Sequence, residues 1–199
     1  MLGRQVHFNQ AAAHLLIQLD GNQWEGVNAD VDVVGELCLQ HGALEVFVAK
    51  DRPTRDRMWE VRRKIIEALN YMSPVSHMED VVVPRSEIPK LLRGIKTIAA
   101  EYEVRIVSFG HAGDGNVHVN TLKEDMPDDR WESVVPKVVD QLYRLTLSLG
   151  GMLTGEHGIG LTRKAYLPLA LDAAQIEIMR GIRQVFDPNN ILNPGKIFI

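Results

Sequence analysis

Twice along this chain a short apolar run, an amphipathic helical stretch and a second apolar run follow in order. Residues 14–19 (HLLIQL) read as a strand. The stretch from Trp24 to Gln40 reads as a helix, with Val27, Val31, Val34 and Leu37 near helical spacing. His41-Gly42 ends it, and residues 44–48 read as the next strand. A helix across Arg55 to Leu69 follows, with Met58, Val61, Ile65 and Leu69 on one face, and Pro74 punctuates the chain. The pattern then repeats. Residues 80–83 predict a strand and Ser86 a helix N-cap. Ile88, Leu91, Leu92, Ile95, Ala99 and Tyr102 form an apolar helix face, and 105–109 and 117–122 predict two further strands. Helices across 129–149 and 172–186 close the chain, the second opened by an Asp172/Gln175 capping box and stopped by Asp187-Pro188. Two such units fit an α+β fold at least as well as a doubly wound one. The expected form is a ferredoxin-like antiparallel sheet with helices on one face and extra C-terminal helices.

The length of 199 residues suits one large domain, and 45% hydrophobic with 24% charged residues argues against disorder. A net charge of −4 leaves no electrostatic footprint for nucleic acid. No apolar run reaches the length of a membrane-spanning helix, and MLGRQVHFNQ lacks the apolar centre of a secretory signal. The single Cys38 cannot form an internal disulfide and reads as a small buried hydrophobe.

Three segments do not look like packing. In Gly110-His111-Ala112-Gly113-Asp114-Gly115-Asn116-Val117-His118, a Gly-Asp-Gly turn between two strands can bring His111 and His118 side by side, within reach of one metal ion. The alternative is a hairpin with two incidental histidines. In Thr154-Gly155-Glu156-His157-Gly158-Ile159-Gly160, Glu156 can supply a carboxylate ligand and His157 is left free to act as a base. Two imidazoles and one carboxylate leave open coordination positions, as a Lewis-acid site requires. The alternative there is a glycine-rich helix start with solvated polar residues. The third segment, residues 187–196 (DPNNILNPGK), is by composition a C-terminal turn. No dinucleotide fingerprint, P-loop or nucleophile elbow is present, and His7, His14, His41 and His77 read as structural or exposed.

Taken together and in this order, GHAGDGNVHVN, GEHGIG and FDPNNILNPGK resemble the C-terminal half of the FAD-linked oxidases of the vanillyl-alcohol-oxidase type. Within that family the flavin subunit of glycolate oxidase and the D-lactate dehydrogenases are the most similar, with the D-2-hydroxyglutarate dehydrogenases near by. MEDVVVPRSEIPKLL also resembles the family pattern. The resemblance implies that residues 1–199 are the cap, or substrate, domain. The N-terminal FAD-binding domain is missing from this chain, which then reads as a truncation, a fragment or one product of a split gene, inactive without the other half.

The resemblance also implies roles. His111, His118 and Glu156 match the metal ligands, with zinc the first choice of divalent ion, and His157 matches the catalytic base. Arg62 and Asn120 match substrate-binding residues; a guanidinium suits a planar carboxylate. Asn116, Asn193, Gly195 and Lys196 fall where the family approaches the flavin. Ile66 and Met78 occupy places where the 2-hydroxyglutarate enzymes carry a Thr and a Lys, which favours a smaller or less polar 2-hydroxy acid. The implied reaction oxidises a 2-hydroxy acid to a 2-oxo acid with hydride transfer to FAD. Electrons then pass to a partner subunit, a quinone or an electron-transfer protein. The implied location is cytoplasmic, with peripheral membrane association through partners. Two other readings of the residues are an inactive binding module stapled by a metal, and a small-molecule sensor.

Overall fold

A computed structural model describes residues 10–198; His7 and most of the stretch read for a leader lie outside them. The chain divides into two units, with the boundary between Glu67 and Ala68.

The first unit carries α1 (Trp24–Gln40) and α2 (Arg52–Arg63), and α3 (Ile65–Met72) begins in it. α1 ends as its sequence predicts: Gly42 takes φ +87, and the Gly42 and Ala43 amides donate back to the Leu39 and Cys38 carbonyls. Asp51 caps α2 by accepting from the Thr54 amide at 2.7 Å. The single helix expected over 55–69 is two helices, interrupted at Lys64 (φ −87, ψ 2). Residues 14–19 and 44–48 form no strand. Leu15 and Leu44 are 72% and 70% exposed, so these runs gain neither cross-strand bonds nor a buried face, and apolar composition without a partner edge does not make a strand. Cys38 is half-buried rather than fully buried.

The second unit contains one sheet. Its strands are β1 (Ser76–Val82), β2 (Arg105–His111) and β3 (Asn116–Leu122), joined by α4 (Ile88–Tyr102), and the helices α5 (Asp128–Ser148), α6 (Leu167–Ala170) and α7 (Ala173–Phe186) follow. The strand order is β1-β3-β2, and β3 pairs antiparallel with both neighbours. β1 and β2 therefore run parallel with α4 as their crossover, and β3 lies between them as a split β-α-β unit. The α+β class holds. The full ferredoxin-like pattern does not form among the described residues, because the first predicted β-α-β unit supplies no strands.

Alternation along the strands gives the sheet two faces. Val81, Val117 and Val119 point to one side and form the core with Leu91 and Ile95 of α4 and Val135, Val139, Leu142 and Tyr143 of α5. Helices thus cover one face, as predicted. Ser86 does not cap α4: it lies in a short 3-10 turn, Arg85–Glu87, and Pro89 occupies the first turn of α4, where no amide is needed. The Asp172/Gln175 capping box on α7 is present with both reciprocal bonds. Among the described residues no helix is long and apolar enough to cross a membrane.

Candidate active site

The second face of the sheet carries the chemistry. On β3, Asn116, His118 and Asn120 alternate with the core valines and all are buried. On β1, Asp80 stands directly across from His118, Met78 from Asn120 and Val82 from Asn116. On β2, Phe109 faces His118, and His111 faces Asn116 at the end of the hairpin. The turn from β2 to β3 needs glycine: Gly115 takes φ +80, and a Cβ there would lie 2.0 Å from the Val83 carbonyl oxygen.

The segment Gly155–Gly158 folds over this face. After α5, Met152 pairs with Val82 at the edge of β1, and the chain then turns across Asp80. One carboxylate oxygen of Asp80, Oδ2, accepts from the amides of Gly155 (3.1 Å), Glu156 (2.8 Å) and His157 (2.8 Å) and from the Thr154 hydroxyl (3.0 Å). Its other oxygen accepts from the Asn116 side-chain amide at 2.7 Å. Gly155 lies against that amide so closely that a Cβ would come within 2.0 Å of Asn116 Nδ2. Burial alone would raise the Asp80 pKa, but the donors from His157, Glu156, Asn116 and Thr154 outweigh it and hold the carboxyl well below the usual carboxylate range.

This loop delivers Glu156 to the two histidines. Glu156 Oε1 is 3.6 Å from His111 Nε2, and Oε2 is 4.0 Å from His118 Nε2. One ligand atom from each of the three side chains lies within 4.8 Å of the others. Ligand atoms around one divalent ion stand roughly 3–4 Å apart, a spacing that both Glu156 contacts approach. Burial is the largest influence on His118 and lowers its pKa, which favours the neutral imidazole that a metal binds. His118 Nδ1 is buried without a hydrogen-bond partner and faces Asp80 Oδ1 at 3.5 Å. An Nδ1 proton aimed at a carboxylate leaves the Nε2 lone pair for an ion. The residues therefore fit a divalent cation. Asp80, His118 and His157 also lie close enough to form a metal-binding group. Four hydrogen bonds fall on Asp80 Oδ2 and one on Oδ1, which commits Asp80 to the loop and to Asn116 and favours His111, His118 and Glu156 as the ligand set.

His157 also packs against His118. The two rings stack at 5.4 Å with 16° between their planes, and the His157 side chain is 37% exposed. Adjacent residues on one loop thus both reach His118, Glu156 through its carboxylate and His157 through its ring, and both stay partly open to solvent.

The remaining predicted residues fall in several places. Asn120 donates to the Val107 carbonyl at 3.3 Å. Asn116 is committed to Asp80 through Nδ2, and its buried Oδ1 has no hydrogen-bond partner. Arg62 is half-buried on α2 and Ile66 lies on α3, both in the first unit. Asn193 and Gly195 take positive φ in the C-terminal turn. Arg183 gathers that turn by donating to the carbonyls of Leu192, Asn193 and Lys196. Just past that turn, the Ile197 amide donates to the Gly160 carbonyl at 2.7 Å, which ties the C-terminal end to the second glycine-rich segment. Of the other histidines, His14 and His41 are exposed and His77 pairs with Glu79 at 2.8 Å.

Sequence reading missed Asp80 and its neighbour Glu79. On the helix-covered face, Glu79 accepts from the Tyr143 hydroxyl (2.5 Å) and from Arg163 Nε (2.7 Å). Arg163 in turn donates to the Gly158 carbonyl at 3.0 Å. The available signal was two adjacent acids inside a strand, where acidic residues are depleted.

The family model of the FAD linked oxidases, C-terminal domain, matches residues 4–197. A D-lactate dehydrogenase of Anaerostipes hadrus is 39% identical over 98% of this chain and 42% of its own length. The glycolate oxidase subunit GlcD of Bacillus subtilis is 38% identical over 94% of this chain and 40% of its own length. A D-2-hydroxyglutarate dehydrogenase of Stutzerimonas stutzeri is 34% identical over 82% of this chain and 36% of its own length. The chain thus spans about two fifths of the length of these relatives. With its site residues on the matched segment, this chain belongs to the FAD-linked oxidases, as their C-terminal domain.

Proposed function

We propose that this chain is the substrate- and metal-binding cap of a flavin-dependent 2-hydroxy acid dehydrogenase. The observation that supports it is the convergence of His111, His118 and Glu156 beside the accessible His157. His111, His118 and Glu156 hold a divalent ion, zinc by first choice of ligand type, though imidazole and carboxylate also suit iron or manganese. The ion supplies Lewis-acid polarisation of the 2-hydroxyl, and FAD, bound mainly by a separate domain or subunit, supplies the two-electron acceptor. His157 takes the proton of the 2-hydroxyl. Arg62 pairs with the substrate carboxylate, and Asn120 orients the substrate. Asn116 and the turn bearing Asn193, Gly195 and Lys196 border the flavin.

The three relatives are named for D-lactate, glycolate and D-2-hydroxyglutarate. Apolar Ile66 and Met78 favour a small monocarboxylic 2-hydroxy acid over a dicarboxylate. Electrons leave through an acceptor subunit, a quinone or an electron-transfer protein, and the enzyme works in the cytoplasm, reaching a membrane only through such partners.

The test uses the protein assembled with its FAD-binding part. His157→Ala should lower turnover by about 10²–10⁴-fold while elemental analysis still finds its metal. His118→Ala should lose the metal. Near-normal turnover in His157→Ala would remove the base assignment, and metal retained in His118→Ala would remove the ligand set.

A further inference from the structure

Glu156 and His157 sit on a loop that makes no strand or helix of its own, yet the Glu156 carboxylate must be held beside the histidine pair and the His157 ring against His118. Its own glycines give the loop freedom rather than direction. The direction comes from outside: three successive amides, of Gly155, Glu156 and His157, converge on one oxygen of Asp80. That carboxylate is fully buried and rises from β1 directly across from His118. We propose that Asp80 is the positioning residue of this site, a buried anion that shapes the Gly155–Gly158 loop and so places Glu156 against the histidine pair, without itself binding metal or substrate.

Two further contacts support this role. The Thr154 hydroxyl both donates to Asp80 and accepts from the Gly158 amide, closing the loop on itself. Asn116 holds the second oxygen of Asp80, which keeps the first one turned toward the loop. An anion is better suited to this place than a neutral group, because hydrogen bonds to a charged acceptor are roughly twice as strong as neutral ones. A neutral amide at position 80 can offer its oxygen to the loop only by turning its NH₂ toward Asn116. Asn116 can answer by rotating its unpartnered Oδ1 into that position. Asp80→Asn should therefore fold and keep a weakened clamp, whereas Asp80→Ala leaves the three amides without an acceptor.

The inference depends on the proposed function only where the readout is zinc. In the full chain, hydrogen exchange is measured at the amides of Gly155, Glu156 and His157, and zinc affinity by competition with a chromophoric chelator. Wild type, Asp80→Asn, Asp80→Ala and the core variant Leu91→Ala are compared. Asp80→Ala should lose protection at those three amides and bind zinc about 10–100-fold more weakly, the range seen when the carboxylate behind a metal-binding histidine is removed. Asp80→Asn should fall between it and wild type. Leu91→Ala, destabilised in the core, should keep both properties. Slow exchange at all three amides in Asp80→Ala overturns the proposal, and so does a loss in Leu91→Ala equal to that in Asp80→Ala. If Asp80→Ala does not fold, Asp80→Asn decides: protection and zinc affinity equal to wild type overturn it. If wild type binds no zinc, the metal assignment falls and the exchange pattern alone decides the role of Asp80.

Discussion

Glu79 and Asp80 are neighbours on one strand, both acids and both buried, yet they belong to opposite faces of the sheet. Glu79 lies on the helix-covered side and is matched by charge and hydroxyl: Arg163, Tyr143 and His77. Asp80 lies on the open side and is matched mainly by backbone amides of a loop. Both reach the same segment, Asp80 through the N–H groups of residues 155–157 and Glu79 through Arg163 to the carbonyl of Gly158. The difference separates stability from chemistry. A charge neutralised by a buried side chain locks the framework, whereas a charge neutralised by backbone donors can shape a loop whose side chains stay free to react.

The largest effect should come from breaking the framework side. Arg163→Ala leaves Glu79 buried without its cation and should cost about 3–5 kcal/mol in urea unfolding. A loss below about 1 kcal/mol would mean that Glu79 is neutralised some other way and that the contrast with Asp80 is weaker than drawn. Leu91→Ala, at 0% exposure in the core, should cost about 2–5 kcal/mol by the same measurement. Because Leu91 lies away from the polar face, its zinc affinity should match wild type, and a matching loss there would show that the two faces are not separable.

Titration sharpens the comparison further. Burial tends to raise the Glu79 pKa, but the hydrogen bonds from His77 and Tyr143 and the charge of Arg163 outweigh it, and the net shift is downward from 4.5. A carboxylate with a lowered folded-state pKa stabilises the fold above its unfolded value and loses that contribution as pH falls through the folded value. Stability of wild type should therefore decline below about pH 4.5, and Glu79→Gln should show a shallower decline over that window, starting from a lower plateau. An unchanged acid limb would assign it to other carboxylates. The smallest effect should be Asp172→Ala on α7, outside both faces, at about 1 kcal/mol from the lost capping box, with the zinc site untouched.

Legibility in the sequence followed the range of the interactions involved. α1, the capping box of α7 and the hairpin that joins β2 to β3 were readable because apolar periodicity, an Asp-x-x-Gln pair and a glycine turn act within a few residues. The strands expected at 14–19 and 44–48 failed for the opposite reason: a strand is completed by a partner elsewhere, and local composition does not supply one. The cluster of His111, His118 and Glu156 was anticipated from the residue types and from the family resemblance. Asp80 is not legible because its partners lie 36 and 74–77 residues away and three of the five are backbone amides, which leave no mark on residue type.

By itself, then, the sequence determined which donors this chain carries and that a glycine turn pairs two of them, since both depend on side-chain chemistry and short-range dihedral freedom. Only the tertiary structure decided that the second glycine-rich segment folds back over β1, that Glu156 and His157 both come to His118, and that Asp80 is committed to the loop. Those outcomes depend on amides finding a buried carboxylate across the fold, and that encounter exists only once the sheet has formed.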